Sequence, residues 1–386
     1  MNRRTIRNFP LFAMVLLFLV SCAGMERKPL SQLDTPEHHT YTGIKLMNQG
    51  KYVDAEREFI LASKLNPAFS RAYAGSGLVA AYQGDFRNAF DLMKKAGEFS
   101  KTKGERVLYH VGMLRLFTMS KPGEDWCDRA ESEFAAAVQL DQKCAAAYYF
   151  MGIANKMALK FDKAAPLFAK VLDLNDEYLR EADREWKLMR KIERAMPGTK
   201  RGRQIVLAES ITRADLAALL MEELNIGRIY EKLAMKEYDR ASGDDGTYKT
   251  EKESRSMRLA DIEKHAFRDN IEDIARIGIR GLEVYPDGTF RPYDLITRAT
   301  YATIIEDILI AVEQDKGLAK KFAGKVSPFP DLRSGADCFN AVMVATSRGI
   351  MQASDLTSGE FLPFSSVSGV DALLIIRNMQ KELRYF

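Results

Sequence analysis

The chain is poor in the residues that carry most protein chemistry. Among 386 residues there are four cysteines, four histidines and two tryptophans. Cys22 closes an N-terminal leader, and Cys127, Cys144 and Cys338 are an odd number for a disulfide framework. Cys127 and Cys144 flank a predicted helix of about 14 residues, roughly 21 Å long at the α-helical rise. That separation is too great for a bridge, so the spacing predicts buried free thiols. The histidines (His38, His39, His110, His265) lack metal-ligand spacing, and the one adjacent pair, His38-His39, reads as part of a tether. No nucleophile elbow, phosphate-cradling loop or isolated pair of carboxylates is present. An enzyme is therefore the least supported class, and no cofactor or metal is expected. Charge of one sign is scarce as well. The 57 Lys and Arg outweigh 53 Asp and Glu by four, and leaving out Arg3, Arg4 and Arg7 of the leader reduces the excess to +1. That argues against a nucleic-acid partner. The one long apolar run, Phe9 to Val20, is shorter than a membrane-spanning helix needs.

That run has a different reading. A basic stretch, Asn2 to Arg7, precedes it and Ser21-Cys22 follows, which is the layout of a secretory signal. Its end, Leu19-Val20-Ser21-Cys22, resembles the bacterial lipobox. The resemblance implies a signal peptide over 1–21 and a diacylated Cys22 at the mature N-terminus, held on a membrane by more than one chain. Cleavage of an ordinary signal near Ala23 is the alternative. Alanine rather than aspartate after the cysteine implies, for a lipoprotein of a diderm bacterium, the periplasmic face of the outer membrane. Residues 22–35 are polar and form a short tether.

Beyond the tether a period appears. Gly43, Gly50, Tyr52, Ala55, Phe59, Ala62 and Pro67 recur 34 residues later as Gly77, Gly84, Phe86, Ala89, Met93, Ala96 and Lys101. Ala130, Phe134 and Ala137 recur at the same distance as Ala164, Phe168 and Val171. Small residues let two antiparallel helices approach, and Tyr52 and Phe59 fill the space between neighbours. The pattern resembles tetratricopeptide (TPR) repeats. About four units are expected over 36–180, the third with a turn lengthened at Ser120 to Asp125. The resemblance implies a groove for an unidentified protein client, lined from first helices by Tyr41, Asn48, Tyr73, Tyr82, Tyr148 and Asn155. Service as a spacer or dimerisation surface is the alternative. Residues 177–200 continue helical, with Leu179, Trp186, Met189, Ile192 and Met196 on one face, until Pro197-Gly198.

The C-terminal half repeats a longer signal. Thr212, Thr297 and Ser368 each stand at the start of an apolar helix, where a hydroxyl accepts an orphan backbone N–H. Arg298 follows Thr297, and a cation there faces the positive end of the helix dipole, so helix stability does not ask for it. Free N–H groups with an arginine fork would make an anion pocket; a merely solvated Arg298 is the plain alternative. Gly288-Thr289-Phe290-Arg291-Pro292 and Gly359-Glu360-Phe361-Leu362-Pro363 are matching turns ahead of two of the caps. The segment 278–301 resembles the S-layer homology (SLH) domain. Three such units, about 181–240, 255–315 and 326–386, imply a mostly helical pseudo-three-fold domain with short β-hairpins or turns. With the repeats, the fold class is all-α dominated. Trp186 to Met196 would supply the short helix of the first unit. The polar stretch Ala241 to Ser254 reads as a surface loop, in which Asp244-Asp245-Gly246 is too sparse for calcium.

The SLH resemblance implies binding of a negatively charged cell-wall polymer through Arg213 and Arg298, with Asp261, Asp331, Gly281 and Tyr285 as further candidates. Two departures weaken it: Gly369 replaces the third arginine, and Ala266 and Asp337 stand where the family has tryptophan. The chain thus reads as a non-catalytic envelope lipoprotein joining membrane, through lipid, to peptidoglycan or an attached anionic polymer such as a secondary cell-wall polysaccharide, while the TPR array recruits a protein. A TPR adaptor for an envelope or secretion complex, with the SLH-like units as scaffold, is the alternative.

Overall fold

The computed structural model describes residues 28–241 and 259–384. The expected signal peptide, Cys22 and the stretch around Asp244-Asp245-Gly246 lie outside the described residues. The chain divides into two compact bodies, Met1–Trp186 and Lys187–Phe386.

Helices of the first body pack as antiparallel pairs: α1 (Pro36–Asn48) with α2 (Tyr52–Leu65), α3 (Ser70–Tyr82) with α4 (Phe86–Phe99), α5 (Lys103–Ser120) with α6 (Trp126–Leu140), and α7 (Ala145–Met157) with α8 (Phe161–Leu174). The 34-residue period has a plain steric cause. Phe59 is wholly buried, and a Cβ at Gly43 or Gly75 would stand 2.7 or 2.2 Å from its ring. Phe59 thus fills holes in its own pair and in the next one. Met93 fills the hole at Gly112 of the next pair, and Phe168 that at Gly152 of its own. Gly50 and Gly84, one period apart, adopt φ of 74° and 85° in the turns between paired helices. The longer turn of the third pair occupies 121–125, with Lys121 left-handed.

Several sequence expectations change here. His38 and His39 belong to α1, not to the tether, and Thr35 caps that helix by accepting from the His38 N–H. Cys127 is buried, but Cys144 and Cys338 are half-buried, and all three are unpaired. The helix over 177–200 is α9 (Leu179–Ala195), and the division between bodies falls inside it. Met189 and Ile192 are buried there, whereas Met196, past the helix end, is exposed.

The second body contains α10 (Lys200–Ile205), α11 (Arg213–Glu222), α12 (Ile226–Ala241), α13 (Arg268–Ile277), α14 (Arg298–Glu313), α15 (Phe339–Ser347) and α16 (Gly369–Leu383). The helices pack in pairs, α13 on α11 and α15 on α14, while α10 packs on both α11 and α16. The helix serving the first unit is thus α10 and not the stretch Trp186 to Met196. Just before each long helix the backbone joins a closed ring. Ile296 N–H donates to the Ile211 carbonyl (3.0 Å), Val367 N–H to Ile296 (3.1 Å), and Ile211 N–H to Val367 (2.8 Å). That ring is the centre of the pseudo-three-fold. Among the described residues β pairing is limited to isolated bridges, Thr212 with Leu295 and Thr297 with Ser366, so the hairpins expected here are turns. No described helix is long and apolar enough to cross a membrane.

Candidate functional site

Each ring position leads into a capped helix. Thr212, Thr297 and Ser368 accept from the backbone N–H three residues on, as their hydroxyls predict. The next backbone groups are not free. Arg213 N–H donates to the Asp294 carbonyl (2.8 Å) and Ala214 N–H to that of Pro292 (3.1 Å). Arg298 and Ala299 donate in the same way to Ser365 (2.9 Å) and Pro363 (2.8 Å). The first-turn N–H groups invoked for an anion pocket are therefore occupied by carbonyls of the following unit.

The arginines are engaged too. Arg213 is 5 % exposed and donates from Nε to Phe290 O (2.9 Å), from Nη1 to Gly281 O (2.7 Å) and from Nη2 to Glu283 O (2.8 Å). Its guanidinium also lies 4.7 Å from the Phe290 ring centre and 5.0 Å from that of Tyr285. Arg298 donates to Phe361 O (2.7 Å) and Gln352 O (2.5 Å) and covers the Phe361 ring. Burial lowers the proton affinity of both guanidinium groups, but their partners are acceptors that suit the cation. Arg298 is thus half-buried and bonded through two of its three guanidinium nitrogens, neither merely solvated nor a wholly free anion grip. Both residues staple one unit to the next. Dipole repulsion at the helix start is offset by charge-assisted bonds across the seam.

Asp261 and Asp331 form a second matched pair. The Asp261 carboxylate accepts from the N–H groups of Phe290 (3.0 Å) and Arg291 (2.6 Å), and Asp331 from those of Phe361 (2.9 Å) and Leu362 (2.7 Å). Arg291 and Leu362 both have φ of 55°, a conformation costly for residues with a Cβ. The carboxylates hold those strained residues in place. Gly281, at φ 95°, presents its carbonyl to Arg213, and a Cβ there would meet Ile304 at 2.9 Å. Tyr285 lies between guanidinium groups, with Arg291 4.0 Å from its ring centre.

Beside Arg213 the seam opens into a cavity of about 430 Å³. Gly281, Glu283, Tyr285, Asp294, Leu295 and Thr300 line it. It brings together Arg213, Gly281 and Tyr285 of the sequence candidates; Asp261 and Asp331 serve the turns instead. Two carboxylates face one committed arginine, so the electrostatics favour hydroxyl-rich matter over a polyanion.

The third seam explains its missing arginine. A Cβ at Gly369 would lie 1.8 Å from the Ile205 carbonyl oxygen, so no larger residue fits. Gly369 N–H instead donates to Ala208 O (2.8 Å). Arg377 secures this closure by donating to the carbonyls of Ala195 and Met196 and to Glu223. Ala266 and Asp337 are both exposed, leaving no aromatic wall at those positions.

The six groove candidates of the first body separate into groups. Tyr73 and Tyr148 pin the turns behind them, donating to Pro67 O (2.9 Å) and Gln142 O (3.3 Å), which is a packing role. Asn155 is buried, with its Nδ2 on Met151 O and its Oδ1 unpartnered. Tyr41 and Asn48 are exposed. Tyr82 is stacked on Tyr52 at 5.1 Å between ring centres and accepts from Arg115 (2.8 Å). Arg115 also covers Phe150 at 4.3 Å, a link with no signal in the repeat pattern. Among the described residues no cluster of His, Cys, Asp and Glu could hold a metal ion.

Residues 259–302 match the S-layer homology domain family. Of solved structures, a MamA 41-end chain from Desulfovibrio magneticus RS-1 is 16% identical, with a TM-score of 0.27, covering 42% of this chain and 96% of its own. A MamA RS-1 double mutant is 15% identical, with a TM-score of 0.27 and coverages of 42% and 97%. No curated protein matches the chain.

Proposed function

We propose that this chain is a non-catalytic envelope protein that grips the cell wall through its C-terminal body and recruits a protein partner through its helical repeats. The S-layer homology match over 259–302 supports association with the cell envelope. The observation that carries the wall-binding reading is the cavity at the first seam, where Arg213, Tyr285, Glu283, Asp294 and Thr300 converge. Its lining supplies hydroxyl partners and an aromatic edge, which suits peptidoglycan sugars or an attached polysaccharide of modest charge. Arg213 and Arg298 hold the walls of the seams, and any further contact they make with a polymer uses their remaining N–H groups. A lipid on Cys22 would hold the other end on a membrane, for which we favour the periplasmic face of the outer membrane. Two modest attachments on one chain reinforce each other by effective concentration.

The test is co-sedimentation of the full chain, in mild detergent, with purified sacculi before and after attached polymers are stripped. Binding lost on stripping identifies the polymer as ligand, and binding that survives identifies peptidoglycan. Absence of binding to either rejects the wall-binding role. The adaptor reading would then lead, supported by the exposed Tyr41 and Asn48 on α1 and by the closed third seam.

A further inference from the structure

Because three helix starts close one ring, each seam can be compared with the other two within a single molecule. The chain crosses α11 as Pro292-Tyr293-Asp294 and crosses α14 as Pro363-Phe364-Ser365. At the third seam Gly369 N–H donates to Ala208 O as Arg213 and Arg298 donate to Asp294 and Ser365, so the place of Tyr293 and Phe364 is held there by Leu207. Tyr293 is 74% exposed and Phe364 84% exposed. Neither ring is needed by the core. Single exposed apolar side chains are ordinary, Val326 and Leu356 among them, and it is the recurrence of a large aromatic at the same place of two seams that points to a binding surface. The third seam lacks both features, with a half-buried Leu207 in place of the aromatic and Gly369 at the helix start. Seam arginine and exposed aromatic therefore occur together twice and are missing together once.

We propose that Tyr293 and Phe364 are stacking platforms for pyranose rings of a wall glycan lying along the two arginine seams. The inference rests on the wall-binding reading above and names the side chains and ligand face involved. A pyranose presents a face of C–H bonds to an aromatic ring and a rim of hydroxyls to acceptors beside it. At the first seam those acceptors are Asp294 and Glu283, both exposed, with Thr300 in the adjoining cavity. At the second they are Ser365 and Ser366, the latter already bonded to Ser210 at 2.7 Å. The rings fit a lipid surface less well, because such a surface favours free cations beside its aromatics. Here Arg213 is bonded to carbonyls and Arg291 to Asp287 (3.0 Å), while Glu283, Asp287 and Asp294 are acidic and exposed. A hydroxyl-rich sugar is the occupant whose chemistry fits an acidic and hydroxylic rim.

The experiment compares full-length wild type with Tyr293→Ala, Phe364→Ala, the double alanine variant and the conservative Tyr293→Phe and Phe364→Tyr in sacculus co-sedimentation. Each alanine variant is expected to bind about five- to tenfold more weakly, the loss typical of removing one aromatic anchor. The conservative variants should bind as wild type, and melting should be unchanged throughout because both side chains are exposed. Undiminished binding by the double alanine variant overturns the platforms and leaves the wall-binding reading standing. A wild type that does not bind sinks both. Loss of liposome binding, or of self-association, with sacculus binding intact would give the rings to a lipid surface or a second copy and also overturn the proposal.

Discussion

Arg213 shows how far a residue's role depends on what the fold brings to it. Its sequence context, one place after a helix cap, suggests an anion site. In the structure its donors meet the carbonyls of Phe290, Gly281 and Glu283, which lie 77, 68 and 70 residues away. Removing it would leave those carbonyls without their charged donor at a seam. Arg213→Ala is expected to lower stability by about 3 kcal/mol, from lost charge-assisted bonds and orphaned acceptors. Arg213→Lys should recover little, because an ammonium lacks the fork that reaches several acceptors at once. Thermal melting of the three proteins decides the matter. A variant as stable as wild type would return Arg213 to the ligand-binding role suggested by sequence. The caps at Thr212, Thr297 and Ser368 were legible in the sequence for the opposite reason, since a cap is satisfied within three residues.

Helices and the segments beside them respond to pH in opposite senses. At the start of α1, His39 bonds Glu58 of α2 (2.6 Å) and Asp34 of the preceding segment (2.8 Å). Burial alone would lower its pKa, but the bonds to the two carboxylates outweigh this and raise it above 6.5. A group with a raised folded pKa stabilises fully below its unfolded value and loses that contribution as pH climbs through the folded value. The tie between the 30–35 segment and the first pair should therefore loosen as pH rises through that raised value. Glu223 behaves the other way. Burial would raise its pKa, but bonds from Arg377, Thr199 and Gly198 outweigh this and lower it below 4.5. Its contribution is present above that value and lost as pH falls through the folded one. Hydrogen exchange across the pH range should show early opening near residues 34–39 at alkaline pH and near 198–223 at acid pH. His39→Gln should flatten the first profile, and an unchanged profile would rule out the histidine as its cause.

At the scale of the whole molecule, two bodies with separate cores should unfold in more than one step. Gly369→Ala places a Cβ against the Ile205 carbonyl, and overpacking of this kind costs about 1–3 kcal/mol or more. Calorimetry should then show one transition lowered and the other unmoved. A single transition shifting as a unit would mean that the bodies unfold together.

The helical class and the paired repeats were open to reading because packing recurs at a fixed distance along the chain. Phe59 needs Gly43, and the repeat writes small and large residues into those two places again as Gly77 and Met93, 34 residues on. The long helices of the second body were likewise visible from their caps and apolar stripes. The α10 helix was missed because six residues are too few to show a period. The committed state of the arginines, the closure at Gly369 and the exposure of Tyr293 and Phe364 were not visible. Helix starts, buried faces and the alternation of small and large residues between neighbours follow from the amino-acid order, because these are short-range demands. Which seams stay open, and which groups remain available to a ligand, is settled by long-range packing. Those outcomes depend on carbonyls and backbones brought together from distant parts of the chain, and side-chain identity alone does not encode which donor finds them first.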